Sequence, residues 1–124
     1  MNQTQIPFLV EALLILVAMV LGILIKSAGK PYGKVKLGIH LFLYLWFSIG
    51  FGFILSALPY AKLNSLILAL VALMGLAILT QASTGIWMIA SKRPLKRLPK
   101  IHAISASLLL LSDIMAFILS GINS

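Results

Sequence analysis

Four stretches of the chain, Pro7 to Ile25, Leu37 to Leu58, Leu66 to Ala90 and Pro99 to about Ile122, are strongly apolar, and each is long enough to cross a hydrocarbon core. One helical span needs about 20 apolar residues, so four of them use nearly all of the 124 residues. Only short connections remain, which excludes a separate soluble domain. With no water to satisfy backbone amides inside lipid, the spans must be helices, and short connections make sequential helices antiparallel. The expected fold is all-α, an integral membrane four-helix bundle forming a single transmembrane domain. Turn chemistry fills the gaps: Gly29-Lys30-Pro31-Tyr32-Gly33, then Pro59, then Pro94 with Pro99.

Ten Lys and Arg against two acids give a formal charge of +8. In a soluble chain that balance would suggest nucleic acid, but here position governs. Lys26, Lys30, Lys34 and Lys36 surround the first loop, Lys92, Arg93, Lys96, Arg97 and Lys100 surround the third, and Lys62 alone lies in the second. The positive-inside rule makes the crowded side cytoplasmic and puts both termini outside, as expected of a prokaryotic cytoplasmic (inner) membrane protein. Residues 1–5 carry no Lys or Arg, so the first span lacks the n-region of a signal peptide and is expected to be retained. There are no cysteines, which excludes disulfides, thiolate metal sites and cysteine-held iron–sulfur clusters. Ser and Thr occur without an adjacent base, no glycine-rich phosphate loop follows a strand, and the basic loops are too short for a nucleic-acid module. Any chemistry therefore belongs to a bound cofactor, in an electron-transfer protein or oxidoreductase subunit rather than a stand-alone enzyme.

Displacing the chain by 63 residues lays Gly22-Ile23 on Gly85-Ile86, Lys30-Pro31 on Arg93-Pro94 and Lys34 on Arg97; with one residue dropped, His40 falls on His102. The bundle thus reads as two repeated helical hairpins. Both histidines are expected just inside the cytoplasmic boundary, at matched depth on spans two and four. A lone intramembrane histidine is most often an interfacial side chain bonded to a carbonyl or snorkelling to water. A pair at matched repeat positions favours a shared ligand. Two imidazoles from different helices can ligate the iron of a six-coordinate haem b, which needs no cysteine. Zinc wants further ligands, and Glu11 and Asp113 lie deeper in or across the membrane.

Helical spacing puts Ser105 and Ala106 above His102, where small side chains leave room for a porphyrin, and Phe47 and Phe51 on the His40 face, against the macrocycle. The plainer role of such rings is lipid or interhelical packing. Lys36 and Lys100, with neighbouring basic residues, would meet haem propionates, although topology alone accounts for most of these charges. Gly22 and Gly85 near the histidine depth are read as small-residue packing sites, and Gly50 and Gly52 as points of close helix approach. Glu11 is roughly 6 to 8 Å into the first span at about 1.5 Å per residue, close enough to look out to the interface. Asp113 is expected near mid-membrane on the bundle side, hydrogen-bonded to Ser112 or to Thr80, Gln81 or Thr84, because an isolated ionised carboxylate is costly there. Both acids are candidates for proton exchange with a quinone, against the plainer role of interhelical glue.

A His40 and His102 pair on helices two and four of a four-helix core, flanked by basic loops and small residues, resembles the cytochrome b561-like four-helix membrane b-type cytochromes, and also the haem-bearing anchors of respiratory dehydrogenases. The resemblance covers the whole chain as architecture, with its sequence content confined to the two histidines and their neighbours. It implies electron transfer between a quinol or other donor and a partner, through one bis-histidine haem b. Two-haem members would need a second histidine pair near the outer face, which this chain lacks. Expected partners are the lipid bilayer, a quinone, and a redox subunit or second copy in a homodimer. Two other readings compete. One is a small proton-coupled multidrug-type transporter using Glu11, disfavoured by the one-sided basic residues; the other is a cofactor-free accessory subunit of a membrane complex.

Overall fold

The structure, a computed structural model, describes residues 1–29, 32–58, 60, 63–91 and 96–122. The expected turn positions Lys30, Pro31, Pro59 and Pro94, and the basic residues Lys62, Lys92 and Arg93, lie outside the described residues. Four helices follow one another: α1 (Gln5–Ala28), α2 (Lys34–Ala57), α3 (Ser65–Ala90) and α4 (Leu98–Ile122). Each is long and apolar enough to cross a membrane. They coincide with the expected stretches, but α1, α2 and α4 reach one to three residues further at the end that carries the basic residues, so that Lys26, Lys34 and Lys36 sit on helix ends, as Lys100 does within its expected span. Lysine is a good helix former whose long stem lets its ammonium reach water from such a position.

The helix ends have local causes. Gly29 follows α1 with φ of 76°, the left-handed region that glycine enters without a β-carbon clash, and its amide donates to the Lys26 carbonyl. Asn64 caps α3, its side-chain oxygen accepting from the Ile67 amide at 2.9 Å. At the opposite end from the basic loops, Asn2 and Gln5 tie the start of α1 to the end of α4. The Asn2 Nδ2 donates to the Ser120 carbonyl at 3.0 Å and the Gln5 Nε2 to the Phe117 carbonyl at 3.1 Å.

α1 packs on α2 and on α4, and α3 packs on α4, giving the neighbour order α2–α1–α4–α3. Buried residues recur every three or four positions, as in the α1 series Phe8, Glu11, Ile15 and Ala18. With Phe47, Phe51 and Ile54 of α2, Met74 and Ile78 of α3 and Leu109 and Ala116 of α4, the apolar members of this stripe form one core. The outward faces expose Val17, Phe42, Trp46, Leu79 and Ile118, about half or more of each, a surface suited to lipid tails rather than water. The two hairpins are not related by full symmetry. The α1–α4 seam is closed, whereas its counterpart between α3 and α2 is bridged by the Tyr44 hydroxyl donating to the Ile78 carbonyl at 2.5 Å and by the Phe51 ring against Gly75. An open apolar cleft of about 580 Å³ lies beside Phe51 there.

Candidate functional site

His40 of α2 and His102 of α4 face each other with ring centroids 6.4 Å apart and ring planes inclined by 55°. Each ring lies against a glycine on the preceding helix of its own hairpin. A β-carbon built on Gly22 would come 3.1 Å from His40 Cε1, and one on Gly85 would come 3.3 Å from His102 Cε1. Hydrogen at these two positions is what lets the rings seat against the α1 and α3 backbones. The correspondence extends one turn further, because the Ala18 carbonyl faces His40 as the Gln81 carbonyl faces His102. The 63-residue displacement in the sequence is thus a repeated glycine, carbonyl and histidine arrangement in space.

His102 is the better anchored of the two. Its Nδ1 lies 2.8 Å from Thr84 Oγ1, and that hydroxyl also lies 2.7 Å from the Thr80 carbonyl, to which it donates. The threonine oxygen therefore accepts from Nδ1–H, and Nε2 is left with the lone pair a metal would need. Gln81 Nε2 donates to Ser105 Oγ at 2.8 Å and to the His102 carbonyl, while Ser105 Oγ donates to that same carbonyl at 2.9 Å. By contrast, His40 Nδ1 is buried without a hydrogen-bond partner, the neighbouring Ala18 carbonyl lying outside good bonding geometry.

A cavity of about 430 Å³, lined by residues of all four helices, includes both histidines in its wall. This volume falls within the range of small-molecule sites, about 300 to 1,000 Å³, and most of the wall is apolar. Phe47 and Ala106 line it as their helical spacing predicts, and Ser105 is buried beside it in the Gln81 network. Phe51 does not line it. One further turn carries that ring about 6 Å along α2, into the α2–α3 cleft. Lys36 and Lys100 are exposed and outside the cavity wall; Lys26 and Tyr32 take part in it instead. Lys26 follows Gly22 by four residues and so shares its face, a signal hidden behind the topology role of the basic residues. Thr84 was likewise readable from its place beside Gly85.

The acids depart most from expectation. Glu11 does not look out to the interface: it is 2% exposed, because it belongs to the stripe of α1 between Phe8 and Ile15 that faces the core. Asp113 is fully buried, yet none of its expected partners reaches it. Ser112 donates to the Leu108 carbonyl at 2.6 Å, Thr80 to the Leu76 carbonyl at 2.9 Å, and Gln81 and Thr84 are engaged around His102. Antiparallel packing sets Gln81 level with Ser105, eight residues or about 12 Å along α4 from Asp113. Gly50 takes the Glu11 carboxyl, which overlaps the place of its missing β-carbon, whereas Gly52 has open space beside it. Among the described residues no three His, Cys, Asp or Glu side chains are grouped to hold a metal ion, so the histidines stand as a pair. Comparison with protein-family models, curated proteins and solved structures finds no match to this chain.

Proposed function

We propose that the chain is a membrane b-type cytochrome with its basic loops cytoplasmic and both termini outside. It holds one haem between His40 and His102 near the cytoplasmic face and passes electrons between a quinol or other donor and a partner subunit. The facing imidazoles carry this reading. With a metal–nitrogen bond of about 2 Å and a ring nitrogen about 1 Å from its centroid, two imidazoles on opposite sides of one metal have centroids about 6 Å apart. The observed separation is 6.4 Å, beside a cavity of small-molecule size. Two nitrogen ligands suit an iron whose other four positions are filled by a porphyrin, and they are too few for zinc.

When bound, haem supplies reversible one-electron chemistry that the side chains lack. The protein's own work is positional. Thr84 fixes the His102 tautomer and ring orientation, and Gly22 and Gly85 set how closely the rings sit against their helices. The wall is mostly apolar, and Lys26 in it would offer a cation to the carboxylates of a bound group. Protein purified from haem-sufficient cells should be red, with a Soret band that shifts on reduction by dithionite. His40→Ala and His102→Ala should each abolish the low-spin spectrum. A colourless preparation would remove the haem reading and leave a cofactor-free accessory subunit.

A further inference from the structure

Glu11 of α1 and Asp113 of α4 lie within electrostatic reach of each other across the closed α1–α4 seam. All four of their carboxyl oxygens are buried without a hydrogen-bond partner. Nothing charged faces them from the other elements: α2 beyond Tyr44 and all of α3 carry no titratable side chain. The next titratable groups on their own helices are Lys26 and His102, both toward the basic end. Two ionised carboxylates without a counter-charge cannot be held in so apolar a seam at reasonable cost. Calcium and magnesium take six or more oxygen ligands, and no third acid joins this pair among the described residues. The ligand that fits is the proton, which removes the charge of a buried carboxylate.

Two further observations separate this site from simple helix glue. α2 presents Gly50 to the Glu11 carboxyl, and any larger residue would occupy the space that the carboxyl fills. The repeat also supplies an internal control. The positions equivalent to Glu11 and Asp113 are Met74 and Phe51, both buried in the core, so the scaffold packs the matching layer without acids. Two polar side chains lie between the acids and the terminal end. Ser120, two turns beyond Asp113 on the same face, has a buried hydroxyl without a partner, and Gln5 precedes Glu11 by six residues. From Ser120 to Asp113 is about 10 Å along the helix.

We propose that Glu11 and Asp113 form a proton-binding site within the α1–α4 seam, exchanging with water at the terminal end past Gln5 and Ser120. The site does not depend on the haem reading, and its test reads carboxyl groups rather than haem.

Infrared spectra of the full-length protein in lipid vesicles at neutral pH should show a protonated carboxyl stretch that Glu11→Gln and Asp113→Asn each remove or shift. Transfer to D2O should shift it within minutes, and Gln5→Leu together with Ser120→Ala should slow that exchange at least tenfold. Because the neutral variants could fail to fold, the unaltered protein is also treated with a hydrophobic carbodiimide, which attacks protonated carboxyls in membranes. Mass spectrometry should place the adduct on Glu11 or Asp113, with faster modification at acid than at alkaline pH. Absence of both the band and the adduct at neutral pH would overturn the proposal. So would a band that fails to exchange over hours, since that describes a sealed contact, or exchange untouched by the Gln5 and Ser120 changes.

Discussion

Replacing Gly22 by Ala separates a glycine kept for the histidine ring from one kept for helix packing. The added β-carbon would sit 3.1 Å from His40 Cε1 and 3.7 Å from each ring nitrogen. Carbon atoms are in favourable contact from about 3.5 Å, so the ring must withdraw by about 0.4 Å. Ligand distances in metal sites are held to about 0.2 Å, so this displacement exceeds the tolerance. At Gly85 the corresponding approach is 3.3 Å, and the required movement is about half as large. Alanine also brings about 0.5 to 1 kcal/mol of helix propensity, acting in the opposite direction on stability. Gly22→Ala should therefore leave thermal unfolding unchanged or raise its midpoint while weakening haem binding about tenfold, near 1.4 kcal/mol. Gly85→Ala should weaken it only about threefold, or about 0.6 kcal/mol. Titration of the haem-free protein, followed by the Soret band, gives the affinities, and circular dichroism in the same detergent gives stability. Unchanged affinity in Gly22→Ala, or a larger loss in Gly85→Ala, would refute the assignment of these glycines as ring seats.

Thr84→Val keeps the side-chain shape but removes the acceptor for His102 Nδ1; haem affinity in the same titration should fall about 10- to 100-fold, with Thr84→Ser restoring most of it. Gly50→Ala drives a β-carbon into the Glu11 carboxyl and should destabilise the fold by about 1 to 3 kcal/mol. Adding Glu11→Ala should relieve this, and a double-mutant cycle on unfolding should show coupling of at least about 1 kcal/mol, whereas additive effects would mean the two do not meet. Lys26→Ala should weaken haem binding, while Lys36→Ala and Lys100→Ala leave it within about twofold, because only the first of the three lines the cavity.

The sequence already contains the four helices, because long apolar stretches broken by turn residues admit no other regular structure in lipid. It also points to the histidines, since polar residues are scarce in these spans and the repeat sets these two at one depth. Periodicity within α2 and α4 assigns Phe47 and Ala106 to the histidine side correctly. It stops short where a property belongs to two helices at once. Phe51 shares a face with Phe47, but which helix lies beyond it depends on how far α2 stands from α3. Gln81 and Asp113 are both polar and mid-span, yet the antiparallel register of α3 and α4 sets Gln81 against Ser105. The neighbour of Asp113 is supplied by α1, at the other end of the chain, so no local pattern names it. Lys26 was hidden for a different reason: one charge can both orient a span and line a cavity, and sequence shows only the first role.

The neighbour order α2–α1–α4–α3 makes the molecule a book, with the α1–α4 seam as its spine and α2 and α3 as its covers. The fore-edge is fastened by the Tyr44 hydroxyl on the Ile78 carbonyl and by Phe51 against Gly75. Releasing that one hydrogen bond costs about 1 kcal/mol, far less than parting two helices along their length. The α2–α3 edge, held by one hydrogen bond and one ring contact, is therefore the weaker of the two seams. The same binding order suits synthesis, because the α1–α2 leaf is complete before α3 is made, and the second leaf joins it through α4.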